Sequence, residues 1–237
     1  MADYDVFANF YDSVMGDRAA TTQFLQNLIQ TSNPQAEKIL ELACGTGSVL
    51  KLLAKSYQVF GLDLSKSMLA LAKRKVPQAT LYRRDMITFH LRERFDAILC
   101  VFDSINHVLR FSDWRRVFAN CYRHLNVGGV FIFDINTQRK LARHIAEPTW
   151  VHKFGKNFLL MDVTDAGHGI SNWNIIVFEW TGSRQYRLHE ENIKEVSFPA
   201  KVVRKALWEF GSVKVIDTDR KRPSEKSERL YFVCTKK

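Results

Sequence analysis

The sequence predicts an α/β protein built on a mostly parallel sheet, and three observations carry the prediction. Short apolar runs recur from Lys38 to Ile135, segments of helical spacing separate them, and a glycine-containing turn follows the first run. Alternation of this kind is what βαβ units with right-handed crossovers produce.

Lys38 to Ala43, Gln58 to Asp63, Ala79 to Asp85, Phe95 to Phe102 and Val130 to Ile135 read as strands buried on both faces. Ser48 through Lys55 presents Leu50, Leu53 and Ala54 at helical intervals, and Ser65 is placed to cap a helix carrying Met68, Leu69 and Ala72. Ser112 or Asp113 can cap the next helix, in which Trp114, Val117, Phe118, Cys121 and Tyr122 recur toward Leu125 before Gly128-Gly129 ends the connection. Pro199 to Phe210 reads as a helix, and Ser212 to Asp217 and Arg229 to Cys234 as the last two strands. Residues 150–196 break the rhythm. Phe158 to Val163, Ser171 to Trp180 and Arg184 to Val196 are rich in aromatic and β-branched residues, with Thr181-Gly182-Ser183 as a hairpin turn. The expected organisation is a main domain, 1–149 with 197–237, and an inserted antiparallel β cap, 150–196. Such a cap covers the carboxyl ends of the parallel strands, where open α/β sheets bind ligands.

A hydrophobic content of 46% with only five prolines supports a folded body throughout the 237 residues. Cys44, Cys100, Cys121 and Cys234 have neither paired nor metal-ligand spacing, and no secretory signal opens the chain, so a reduced, cytoplasmic setting is expected, with no membrane partner. The formal charge of +10 raises the question of a polyanionic partner. Residues 1–50 hold six acids against Arg18 and Lys38, so the excess lies downstream, where Asp217, Asp219, Glu225 and Glu228 dilute Arg220-Lys221-Arg222, Lys226, Arg229 and Lys236-Lys237. A solvated basic face is the expectation, ahead of a nucleic-acid surface. Asp103, Asp134 and Asn136 offer oxygens near strand ends, but His144, His152, His168 and His189 have no tight ligand spacing, and no metal is expected.

The segment Lys38-Ile-Leu-Glu-Leu-Ala-Cys-Gly-Thr-Gly47 is the most informative in the chain. An apolar strand breaks at a turn whose glycines let backbone lie against a ligand, and the next apolar run ends in the carboxylate of Asp63. A pyrophosphate-binding loop needs a third glycine where this chain has Leu50, and Glu41 repels phosphate. The arrangement suits a cationic nucleoside better than an anionic dinucleotide.

Glu41 to Gly47, followed by Asp63, Asp85 and Phe102-Asp103, resembles the ordered motifs of class I S-adenosylmethionine-dependent methyltransferases over most of the chain. The nearer resemblance is to small-molecule members, notably the sugar-amine and glycine/sarcosine N-methyltransferases, whose N-terminal segment reads like Tyr4 to Asp12. Ala43 stands where many members have the first glycine; alanine keeps the turn if its φ is negative. The resemblance implies a Rossmann-like, seven-stranded, mostly parallel sheet of order 3-2-1-4-5-7-6, with helices on both faces and the last two strands as an edge hairpin. It also implies S-adenosylmethionine as cofactor and direct in-line methyl transfer to a small-molecule acceptor, foremost an amine nitrogen. The alternative is an RNA or protein methyltransferase using the basic downstream surface. A monomer or homodimer is expected.

Asp63 has two acceptor oxygens for the ribose diol, although a carboxylate at a strand end can be only a polar cap. Leu64 offers a wall to adenine, and Met68 either extends that wall or fills the helix core. The resemblance assigns Asp85 to the adenine amino group, the Met86 N–H to a ring nitrogen, Phe102 to the cofactor cleft, and the Ala43, Gly45 and Gly47 backbone to the methionyl part, with Glu41 at its amino end. His107 is the preferred general base or acceptor-orienting residue, against a purely local hydrogen bond. Asp103 attracts a protonated amine or the cofactor's ammonium, and Arg139 is placed to grip an acceptor carboxylate or phosphate. Tyr11, with Tyr4, resembles the tyrosine that closes over the cofactor or substrate; Phe7, Phe10 and Tyr11 can also form a packing stripe. Cys44 reads as a small filler, not a nucleophile.

Overall fold

The computed structural model describes residues 7–237. Strands β1 (Lys38–Leu42), β2 (Gln58–Asp63), β3 (Thr80–Arg83), β4 (Phe95–Cys100) and β5 (Leu125–Asn136) run parallel. Strands β6 (Trp150–Phe154), β7 (Asn157–Asp165), β8 (Ile170–Gly182) and β9 (Gln185–Val196) form a separate antiparallel sheet, and β10 (Ser212–Ile216) and β11 (Arg229–Thr235) return to the first as an antiparallel edge. The first sheet has the order β10-β11-β5-β4-β1-β2-β3, which is the expected seven-stranded Rossmann-like order. Its topological switch lies between β1 and β4, so a crevice opens beyond their carboxyl ends.

The helices are α1 (Ala8–Met15), α2 (Ala19–Ser32), α3 (Ser48–Leu53), α4 (Lys66–Lys75), α5 (Phe111–His124), α6 (Gln138–Ala146) and α7 (Ala200–Ala206). Strand alternation sends Leu40, Leu42, Phe60, Leu62, Ile98 and Cys100 to the layer containing Trp114, Val117 and Phe118 of α5. Ile39, Val59, Ala97 and Leu99 go to the opposite layer, with Leu25 and Ile29 of α2 and Leu50 and Leu53 of α3. A fully buried aliphatic side chain is worth about 1.5–3 kcal/mol, more than most helix caps, so two-sided burial rather than local propensity fixes these short strands.

Several local expectations need correction. Ser65 caps α4 as expected, accepting from Met68 N at 3.1 Å, but neither Ser112 nor Asp113 caps α5. That helix begins at Phe111, and its entry is pinned by Trp114 Nε1 donating to Val108 O at 2.7 Å. Gly128-Gly129 lies inside β5 rather than ending the connection, because a bulge lets Leu125 pair with Phe95 and Val130 with Ala97. The cap hairpin turns at Ser183-Arg184, one residue later than read, with both residues left-handed (φ 48° and 60°) between the paired Gly182 and Gln185. This two-residue geometry matches the strand twist. The helix expected to reach Phe210 stops at Ala206, where the chain turns back toward β10. Strand β6 was not expected: it is an exposed edge and shows no apolar alternation.

The antiparallel sheet buries one face. Leu159, Trp173, Ile175 and Ile193 pack with Phe7, Phe10 and Leu141, so residues flanking the parallel sheet form a third core beneath the insert. Asn106 stitches the two sheets together, its Nδ2 donating to Asn136 O (3.0 Å) and Val196 O (2.8 Å) while its Oδ1 accepts from Asn136 N (3.1 Å). Among the described residues no helix is long and apolar enough to cross a membrane.

Candidate active site

The β1–α3 turn is shaped by three left-handed residues, Ala43 (φ 51°), Gly45 (φ 52°) and Gly47 (φ 76°). Ala43 therefore keeps the turn with a positive φ, against the negative value the sequence suggested. An L-alanine in this region is strained by about 1 kcal/mol, so Ala43→Gly is expected to stabilise the protein by about that amount in a urea titration. Gly45 lines the cleft. Gly47 serves packing instead: a Cβ there would lie 3.1 Å from the Ala72 Cβ of α4.

Asp63 closes the turn. Its Oδ2 accepts from Gly45 N at 2.8 Å and its Oδ1 from Ser65 N at 2.9 Å. A second clamp comes from α1, where Asp12 Oδ1 accepts from the Thr46 and Ser48 hydroxyls (2.7 and 2.8 Å) and Oδ2 pairs with Lys75 Nζ at 2.6 Å. Burial pushes the Asp12 carboxyl up, but the hydrogen bonds from Lys75, Thr46 and Ser48 bring it below the usual range. Helix α1 is thus tied to the turn, and Tyr11 sits over the cleft. Tyr4 lies outside the described residues.

The inner cleft, about 700 Å³ including space open to solvent, is lined by Tyr11, Ala43, Gly45, Asp63, Leu64, Met68, Arg84, Met86, Phe102 and His107, with Leu62, Ser104 and Val108. Met68 is both core and wall, being 2% exposed yet lining the cleft. Asp85 is not among the lining residues: its Oδ1 accepts from Ile87 N at 2.7 Å, a local turn that presents Met86 instead. Phe102 and Asp103 are consecutive left-handed residues (φ 57° and 52°), a strained pair at the end of β4 that turns Phe102 into the cleft. Cys44 is buried and burial pushes its thiol well up, which leaves it without thiolate character; all four cysteines are buried and free.

Arg18, which the sequence reading did not single out, lies with its guanidinium carbon 4.0 Å from the Phe102 ring centroid. Among the described residues, its Nη2 and Glu41 Oε2 are buried atoms without a hydrogen-bond partner. Burial first, and then Asp63, push the Glu41 carboxyl well up, while Arg18 opposes them. One orphaned donor and one orphaned acceptor beside the cleft suit a ligand carrying both a carboxylate and an ammonium.

A second chamber, about 860 Å³ with part open to solvent, lies between α1, α6, the insert and the strand ends. Tyr11, Phe102 and His107 line both spaces. Burial pushes the Tyr11 phenol up to about 12 and lowers His107 despite nearby Asp103, so Tyr11 is a neutral hydroxyl and His107 a neutral imidazole at pH 7. His107 Nδ1 lies 3.3 Å from Lys194 O.

Asp103 is already paired. Arg229 Nη2 meets Asp103 Oδ1 at 2.6 Å and Asn136 Oδ1 at 3.1 Å, and Nη1 meets Asp134 Oδ2 at 2.5 Å. Its guanidinium thus takes the three oxygens considered as a metal set, and the expectation that Asp103 is open to an ammonium must include this partner. Asp103, His107 and Glu195 offer a second set within 4.8 Å, but Arg229 and Lys140 beside it supply positive charge where a divalent ion needs an excess of anions. Arg139 is exposed on the far side of α6 with Arg143 and Glu228, whereas the adjacent Lys140 lines the chamber. The helical rotation between neighbours separates them. Glu195 also escaped the sequence reading; its one signal is strand alternation, which puts it on the apolar face of Ile193.

Comparisons with known proteins agree with this geometry. Residues 39–129 match a family model described as a methyltransferase domain. The chain is 30% identical to a Bacillus subtilis (strain 168) protein named "Putative methyltransferase YqeM", covering 98% of this chain and 97% of that one. It is 33% identical, over 55% of each chain, to the dTDP-3-amino-3,4,6-trideoxy-alpha-D-glucopyranose N,N-dimethyltransferase of Streptomyces venezuelae. The crystal structure of a S-adenosylmethionine-dependent methyltransferase from Clostridium acetobutylicum ATCC 824 superposes with a TM-score of 0.87 at 25% identity, covering 98% of each chain. With the full-length match, the switch-point cleft and the Asp63-clamped turn all in agreement, the chain belongs to the class I S-adenosylmethionine-dependent methyltransferases.

Proposed function

We propose that the inner cleft holds S-adenosylmethionine and that the chamber beneath the insert receives a small-molecule amine. The observation that carries this reading is the shared wall: Tyr11, Phe102 and His107 line both spaces, so donor and acceptor can meet there. Asp63 at the cleft wall accepts from the ribose hydroxyls, Leu64, Met68 and Met86 flank adenine, and Asp85 acts by shaping the turn that presents Met86. Arg18 and Glu41 supply the donor and acceptor that the methionyl carboxylate and ammonium need. Ala43 and Gly45 let backbone approach that part.

S-adenosylmethionine supplies an activated methyl on a sulfonium that becomes a neutral thioether on transfer. The protein's work is then alignment and proton removal. Tyr11 and Phe102 form the wall across which the acceptor is aimed, and neutral His107 is placed to orient the amine or take its proton. Residues 150–196 act as the acceptor cap, since Leu159, Trp173, Ile175 and Ile193 form its side of the chamber. The sugar-amine specificity in the name of the Streptomyces venezuelae relative supports nitrogen as the methylated atom.

The test is a mass-spectrometric screen of amines, phenols and RNA with S-adenosylmethionine. Methylated amines are expected. Replacing His107 with alanine should lower turnover about 100-fold or more while leaving S-adenosylhomocysteine affinity within about twofold. Turnover confined to RNA, with steep salt dependence, would replace this reading with that of a nucleic-acid enzyme.

A further inference from the structure

Walls and floor of the chamber have opposite character. Leu159, Met161, Trp173, Ile175 and Ile193 make the walls apolar, and Glu195 lies at the floor. Glu195 is 5% exposed, accepts one hydrogen bond, from Asn136 Nδ2 at 3.2 Å, and comes within 4.8 Å of ligating atoms of Asp103 and His107. A buried carboxylate is costly without a cation or several donors.

Among the described residues, the cations lining the chamber already face its own carboxylates and amide oxygens. Arg229 from β11 is forked across Asp103 and Asp134, Lys140 from α6 donates to Asn136 Oδ1 at 2.9 Å, and His144 Nδ1 lies 3.0 Å from Glu147. A diphosphate or an amino-acid carboxylate would enter beside Asp103 and Glu195 without an uncommitted guanidinium to receive it.

Building on the methyltransferase reading, we infer that the acceptor is an amine on an apolar body, its nitrogen held by Glu195 beside Asp103 and His107, and not a sugar nucleotide or an amino acid. In the transfer the nitrogen lone pair forms the new N–C bond, and the methyl–sulfur bond breaks with its electron pair staying on sulfur. The proton shed by the methylated nitrogen passes to the Glu195 carboxylate. Burial, then Asp103, push the Glu195 carboxyl up to about 8, against Asn136, Lys140 and Arg229, so it becomes the acceptor of this proton as the pH rises through about 8. His107, whose ring nitrogen lies within 4.8 Å, is the further titratable group of the cluster.

The experiment uses the whole chain saturated with S-adenosylhomocysteine and titrates 2-phenylethylamine, glycine and a dTDP-amino sugar by calorimetry. Phenylethylamine is expected to bind at least about tenfold more tightly than either of the others. Glu195→Gln, nearly isosteric, should weaken amine binding about tenfold or more, leave S-adenosylhomocysteine affinity unchanged, and remove the rise in kcat/KM near pH 8. Preference for the sugar nucleotide or glycine overturns the inference and leaves the methyltransferase reading standing. Unchanged amine affinity in the glutamine variant overturns the role of Glu195. Failure of S-adenosylhomocysteine to bind overturns the reading on which both rest.

Discussion

Replacing Asp63 with alanine is expected to weaken S-adenosylhomocysteine binding by about 100-fold or more in a calorimetric titration. Two effects add. Hydrogen bonds to a charged group contribute about 1.5–3 kcal/mol each, and the ribose diol would lose its acceptors. The same substitution also removes the acceptors of Gly45 N and Ser65 N, so the left-handed turn loses its tie to β2. Asp63→Asn separates the effects, because its single amide oxygen can hold one of these N–H groups but not both. The asparagine variant is expected to bind with intermediate affinity. Wild-type affinity in the alanine variant would remove Asp63 from the cofactor site.

Arg229→Met is expected to destabilise the fold by about 3–5 kcal/mol in urea at pH 7, the largest stability effect of any single substitution considered. The guanidinium is the shared partner of Asp103 and of the fully buried Asp134, and it joins β11 to the strand ends around the chamber. Without it the buried Asp134 and the half-buried Asp103 are left beside each other. Burial pushes Asp103 up, but Arg229, Lys140 and His107 outweigh it and its net shift is downward. Asp134 is instead raised to about 6, chiefly by burial, so the pair shares one cation by keeping a proton on Asp134 at mildly acidic pH.

The signs follow. Asp103 contributes stability above the ordinary carboxylate range, lost as pH falls through its depressed value. Asp134 contributes stability below that range, lost as pH rises through about 6. In the methionine variant acid relieves the repulsion by protonating both groups, so the deficit relative to wild type should shrink between pH 7 and pH 5. A deficit that is constant with pH, or below about 1 kcal/mol, would show that the ion pair does not hold these strand ends.

What the sequence made legible follows from how each feature is encoded. The parallel sheet was readable because strands buried on both faces carry continuous apolar runs, its order came from the resemblance to the methyltransferases, and the turn was readable because Gly45 and Gly47 occur where left-handed backbone is needed. Ala43 and Phe102-Asp103 hid the same conformation, because their residue types do not announce a positive φ. The exposed edge β6 carried no pattern to read.

At the chamber the limits were geometric. Arg18, Glu195 and Arg229 come from α2's start, the insert and the last strand, and only the closed topology brings them near Phe102, Asp103 and His107. Arg139 and Lys140 illustrate the resolution at stake, since a single residue's rotation on α6 decides which faces the chamber.

The central claim is most directly tested by a crystal structure of the chain with S-adenosylhomocysteine. The expected complex places the ribose hydroxyls on the Asp63 carboxylate, adenine between Leu64 and Met86, and the amino-acid end between Arg18 and Glu41. A ligand bound elsewhere, or a ribose turned away from Asp63, would contradict the account.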